Sequence, residues 1–254
     1  MNSIKIYYNK STGAFVDSAN VRYIVVEELP AITVAGMRTE AEEIDGRDGE
    51  ILRELGRAAY DKAFRVGLRP VNGSIDLGAV VDFFAHAMQP CYIVYSNEPN
   101  YYYRSRLIQQ VDLERLLRFR RATFAMRTEP YKYSLLEMLV PAQVSIITPT
   151  GSGTFPVTNG GNVYSAPKIE IRGKGVVNVF LAENQLFSIT FDADNYEAIT
   201  IDCENMEATF ADGSLANRRV IGDYSLCRIP PGEQVISWDG YVSQVQIWNL
   251  SRWL

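Results

Sequence analysis

With 254 residues, 47% hydrophobic and 22% charged, the chain has the composition of a folded globular protein, which excludes wholesale disorder and leaves room for two domains. A formal net charge of -5 and a pI near 5.1 exclude a predominantly phosphate-binding surface, and no apolar run approaches the ~20 residues of a membrane helix. Cys91, Cys203 and Cys227 are odd in number and widely spaced, which suits small buried thiols in a reducing cytoplasm, and the first ten residues carry no secretion signal.

Residues 21–29 are rich in Val, Ile and Tyr and stop at Pro30, which predicts a strand; a second is expected over 32–38. The acidic run Glu40, Glu42, Glu43, Asp45 then enters the turn Gly46-Arg47-Asp48-Gly49-Glu50. Its glycines take positive φ without a Cβ penalty, so Arg47 and Asp48 are expected to point outward, available to a partner or merely to water. Phe64, Val66 and Leu68 alternate with Arg65, Gly67 and Arg69, the period of a strand with one buried face. Leu77, Val80, Val81, Phe84 and Met88 recur at helical spacing behind a Ser74 or Asp76 cap. Cys91–Tyr95 and Tyr101–Leu107 read as a hairpin across Asn97-Glu98-Pro99-Asn100, with Tyr101 and Tyr103 on one face and Tyr102 on the other. Arg115, Arg118, Arg120 and Arg121 alternate with Leu116, Leu117, Phe119 and Phe124, which predicts a charged strand face rather than a nucleic-acid groove.

Composition changes after Tyr133. Residues 139–148 keep strand character, while 149–162 are crowded with Gly, Thr, Ser, Asn and Pro and predict a linker or long surface loop. Short apolar runs at 168–171, 176–181, 187–191, 198–201, 235–238 and 242–248, separated by turns, predict a small β-sandwich.

Chemistry finds little support. His86 is the sole imidazole, late in the predicted helix beside apolar residues, with no nucleophile-elbow pattern near Cys91. No zinc-ligand spacing is present. Asp45, Asp48 and Glu50, or Asp192 and Asp194, could pair for glycoside hydrolysis, but no motif fixes their separation, and Asp192-Ala193-Asp194 is too short for a calcium loop. No phosphate-cradling glycine loop occurs, so no catalytic residue, metal site or cofactor is expected.

The charged turn at 46–50, the strand Cys91–Tyr95 running into Ser96-Asn97-Glu98-Pro99, and the segment 113–133 ending Thr128-Glu129-Pro130-Tyr131-Lys132-Tyr133 together resemble the phage distal tail proteins, the Dit-like family of siphophages. The second half is similar at Asn162-Val163-Tyr164-Ser165-Ala166-Pro167, Thr200-Ile201-Asp202-Cys203-Glu204, Pro230-Pro231-Gly232-Glu233 and the closing Arg252-Trp253-Leu254. The resemblance implies a mainly β chain: an N-terminal β-sandwich-like domain over 1–140 with one short helix and a hairpin, a linker over 141–161, and a C-terminal galectin-like β-sandwich over 162–245. Residues 246–254 are implied to return and complete the first domain. It further implies a virion structural protein at the tail tip or baseplate of a long non-contractile tail, assembled in the host cytoplasm as a homo-hexamer, with Arg47, Asp48 and Glu50 of the charged turn as candidate subunit-interface residues. Implied partners are the tail tube protein, the tail-associated fibre or lysin protein, the tape-measure protein, and receptor-binding or baseplate proteins at the periphery. The alternative is a carbohydrate-binding module for host adhesion, with Trp238, Trp248 and Trp253 or Tyr101 to Tyr103 as stacking surfaces; strand patterning around the tryptophans favours a core role.

Overall fold

The computed structural model describes residues 2–9, 13–46, 48–140, 142–145 (backbone) and 151–254. These divide into two compact units, Met1–Leu135 with Leu254, and Leu136–Trp253.

The first unit contains β1 (Ile4–Asn9), β2 (Ala14–Asp17), β3 (Ile24–Glu28), β4 (Met37–Glu43), β5 (Glu50–Arg57), β6 (Tyr60–Leu68), α1 (Leu77–Met88), β7 (Cys91–Tyr95), β8 (Tyr101–Leu107), α2 (Leu113–Phe119) and β9 (Arg121–Ser134). Seven of the strands form one antiparallel sheet in the order β2-β1-β7-β8-β9-β6-β3. Along β6 the buried positions are Lys62, Phe64, Val66, Gly67 and Leu68, so the predicted alternation holds and a lysine extends it. Asp76 caps α1, accepting from the Gly78 N–H at 2.9 Å. The helix buries Val80, Phe83, Phe84 and Ala87, with Phe84 4.6 Å from Phe124 between ring centroids. Leu77, Val81 and Met88, assigned to that face from spacing, are instead exposed. The core stripe is turned by one position because Phe83 and Phe84 supply the largest buried area, ~1.5–3 kcal/mol each.

Two expectations for this unit are corrected. Residues 32–36 form no strand, and the strand that follows, β4, holds Glu40, Glu42 and Glu43 within it. The arginine-rich stretch is a helix, not a strand. Asp112 accepts from the Arg115 N–H at 2.9 Å to start α2, and Arg120, left-handed at φ 59°, ends it by donating its N–H to Leu116 at 2.8 Å. Within those roughly two turns, Leu113, Leu116 and Leu117 form the helical stripe that alternation disguises.

In the second unit, α3 (Leu135–Leu139) starts at the division and is followed by β10 (Ala142–Ser145), β11 (Ser152–Asn159), β12 (Lys168–Leu181), β13 (Asn184–Thr190), β14 (Glu197–Asp202), β15 (Glu207–Phe210), β16 (Val220–Gly222) and β17 (Gly232–Trp248). Four of the short runs predicted from sequence are the halves of two long strands. The first half of β12 pairs with the second half of β17, flanked by β10 and by β14-β15; the second half of β12 pairs with the first half of β17, flanked by β11 and by β13-β16. The strands pass from one layer to the other where the register shifts, at Gly173 to Gly175 on β12 and at Gly240 on β17. Gly175 (φ +67°) and Gly240 (φ +124°) supply the left-handed backbone of that corner. Between the layers lies one core containing Ile169, Val177, Phe187, Ile199, Trp238 and Ile247.

The loop expected over 149–162 is largely strand: β11 pairs with β17 from Ser152 opposite Asp239 to Asn159 opposite Gly232. Its Gly, Ser, Thr and Asn composition hides a strand whose outward face is exposed. Leu254 groups with the first unit. Asn249 Nδ2 donates to Thr158 O at 2.9 Å and Arg252 Nε to Tyr164 O at 2.6 Å, within the second.

Candidate functional site

β4 and β5 stand apart from both larger sheets as a two-stranded hairpin, Met37 opposite Arg57 and Glu43 opposite Glu50. Every residue of β4 is exposed, and so is every residue of β5 except the half-buried Arg57. Met37, Ile44, Ile51, Leu52 and Leu55 are exposed large apolar side chains on this arm, and Ile32 and Val34 precede it. An isolated two-stranded hairpin is marginal in water. At its tip Gly46 and Gly49 both take φ +83°, as the turn residues require, and Asp48 and Glu50 are exposed. Arg47 lies outside the described residues.

The arm projects from an anchored base. Ala58 N–H donates to Gly36 O at 2.9 Å, closing the base of the hairpin, and Arg57 Nη1 reaches the buried Ala35 carbonyl at 3.3 Å. The chain leading to it is pinned by Asn97 Nδ2, which donates to Pro30 O at 3.1 Å, and by Lys62 Nζ, which donates to Ala31 O at 3.2 Å. Lys62 is 2% exposed and lies 4.3 Å from the Tyr103 ring centroid. Glu98 is the counter-charge, accepting from Lys132 Nζ at 2.7 Å and from the Tyr103 hydroxyl at 2.5 Å. Burial works to raise the Glu98 carboxyl, but the hydrogen bonds from Lys132 and Tyr103 and the charges of Lys132 and Lys62 outweigh it and hold the group below the usual carboxylate range. Burial pushes the Lys62 ammonium down. Sequence patterning does not find this cluster: Lys62 sits in the strand's apolar register, and only its place there, two before Phe64, signals that it is inside.

The residues weighed for chemistry are dispersed. His86 Nδ1 lies 2.7 Å from Asp82 O in its own helix and its ring packs 4.3 Å from Tyr8. Cys91 donates to Ser105 O at 3.2 Å, and burial pushes its thiol up to about 12, away from the reactive thiolate. All three cysteines are free and buried. Asp192 accepts N–H bonds from Asn195 and Asp194, which hold its carboxyl below the usual range within a local turn. Among the described residues no group of three or more His, Cys, Asp or Glu is placed to hold a metal, and no helix is long and apolar enough to cross a membrane. Tyr102 is fully buried and stacks on Tyr133 at 5.2 Å, Tyr103 is 2% exposed, and Trp238 is 5% exposed in the core of the second unit.

The overall fold of the chain is found among solved structures. The SPP1 Dit (gp 19.1) protein, described as a hub of the adsorption apparatus in phages infecting Gram-positive bacteria, aligns with a TM-score of 0.67 over 100% of both chains at 14% identity. The chain has the fold of that hub protein. A chain of the phage p2 baseplate in its activated conformation, with Sr or with Ca, aligns with a TM-score of 0.58 over 97% of each chain at 12% identity. No family profile and no curated protein sequence matches the chain.

Proposed function

We propose that the protein is a structural hub of a long non-contractile phage tail, in which the first unit closes a hexameric ring around the tail axis. The observation that carries this is the exposed arm of β4 and β5, anchored at its base and bare along its length, in a chain with the hub fold from end to end. A head-to-tail ring uses two different patches on each subunit, and rotational closure ends its growth. An arm with two open strand edges is a natural joint for that interface, since a neighbour can pair with either edge. Asp48, Glu50 and Arg47 at the tip are the candidate interface residues. The ring joins the tail tube above to the tail-associated fibre or lysin below, meets the tape-measure protein during assembly in the host cytoplasm, and carries baseplate or receptor-binding proteins at its edge. Its mechanism is assembly geometry rather than catalysis. Of the side chains that the carbohydrate-binding alternative would use, Trp238, Tyr102 and Tyr103 are buried in packing, and Tyr101, Trp248 and Trp253 are half-buried.

Native mass spectrometry of the purified chain tests the proposal. A six-subunit species, seen as six-fold rings by electron microscopy, is expected. A strictly monomeric chain across concentration and salt overturns it.

A further inference from the structure

We propose that the acidic tip of the arm of one copy seats in an arginine-lined cleft beside α2 of the next copy. This rests on the ring proposed above and names its joint. The cleft, of roughly 590 Å³, is lined by Arg65, Arg115 and Arg121 together with Gln109, Gln110 and Asp112. Glu28 stands 3.5 Å from Arg65 and Glu27 2.9 Å from Arg121, while Asp112 is spent on the α2 cap. Those pairs orient the guanidinium groups without using up their five donors each. Arg115 has no ion-pair partner among the described residues. The surroundings share its sign: residues 104–127 hold seven arginines against Asp112 and Glu114, in a chain whose net charge is -5.

The arm has the opposite balance. Residues 40–50 hold six carboxylates against Arg47 alone. Glu43 stands directly opposite Glu50 in the register, a like-charge pair that destabilises a hairpin unless cations approach it, whereas Glu40 further down faces Arg53. Seven residues of strand extend the tip about 23 Å from its base, far enough to leave the parent subunit. Because the arm is exposed along its length, its tip does not occupy its own subunit's cleft. A cationic cleft and an anionic tip on one chain are the two unlike patches that a head-to-tail ring requires.

The test is charge exchange in the full chain, read by mass photometry, with thermal unfolding as the control for folding. Arg115→Glu with Arg121→Glu, and separately Glu43→Arg with Glu50→Arg, are each expected to weaken the ring by about tenfold or more. Combining all four substitutions is expected to restore it. In Arg115→Lys, which keeps the charge, a carbodiimide is expected to link Lys at 115 to a carboxylate of residues 40–50 on another copy. If the wild-type chain forms no ring, the hub reading fails and this joint with it. If the ring forms but tolerates each reversal, if the combination does not restore it, or if the link from 115 goes to another segment, the joint is wrong while the ring stands.

Discussion

Glu98 decides whether Lys62 and Lys132 can both remain charged beside Tyr103, because its two oxygens are the acceptors that both Lys132 and the phenol use. Replacing it with Gln keeps the shape and removes the charge, leaving a buried ammonium without its counter-ion. We expect Glu98→Gln to cost about 2–4 kcal/mol in chemical denaturation. The folded carboxyl sits below its ordinary value of 4.5, so its contribution is complete above that pH and is lost as pH falls through the lowered value. The wild-type chain should therefore lose more stability on acidification than the variant, and equal acid slopes would show that Glu98 is not the group responsible. At the alkaline end, Tyr95, Tyr102 and Tyr103 are pushed well up, chiefly by burial. Groups raised above an unfolded value of 10.0 give stability that is whole below that pH and falls as pH rises beyond it. Lys62, held down by burial, works in the opposite direction, but one amine opposes three phenols. Phenolate absorbance should lag behind that of exposed tyrosines and appear together with loss of circular dichroism; full ionisation in the folded state would contradict this.

Among the elements, the corner of the second unit and the arm of the first make opposite demands. At Gly240 an added Cβ would lie 2.5 Å from Val176 O and 2.9 Å from Val177 Cα, on a backbone at φ +124° that side chains rarely adopt. Gly240→Ala is expected to destabilise by about 2–4 kcal/mol, combining backbone strain with crowding, and a change within experimental error in urea unfolding would refute the corner assignment. The arm contributes almost nothing to its own subunit. Since Gly36 and Ala58 already meet through a hydrogen bond, residues 37–57 can be replaced by Asn-Gly without opening the base. That chain should unfold at the wild-type temperature yet fail to form rings; rings of normal mass without the arm would remove it from the interface.

For the molecule as a whole, the two cores are separate clusters: one holds Ile6, Phe64, Phe84, Ile93 and Phe124, and the other Ile171, Val179, Phe187, Ile201 and Trp238. Each unit therefore has its own reason to fold cooperatively. Differential scanning calorimetry should resolve two transitions, and Gly240→Ala should move only one of them. A single transition that shifts as a body in that variant would mean that the units unfold together.

Much of this architecture is legible from residues alone. Cys91–Tyr95 and Tyr101–Leu107 have the strand bounds expected from sequence, because turn-forming residues stop the apolar runs on both sides. The Asp76 cap, the buried face of β6 and the positive φ of Gly46 and Gly49 follow from side-chain chemistry that acts within a few residues. Periodicity reports burial, however, so it is silent on β4 and β5, whose faces are both wet, and it breaks β12 and β17 at glycines where the strands bend rather than end. Nor does it place Lys62 beside Glu98, 36 positions away in the chain, or set Arg115 of α2 beside Arg65. Local chemistry fixed the turns, caps and most strands of this protein, whereas the bare arm, its anchored base and the arginine cleft were decided only by tertiary structure, because they depend on which distant residues share a space and which have no neighbour at all.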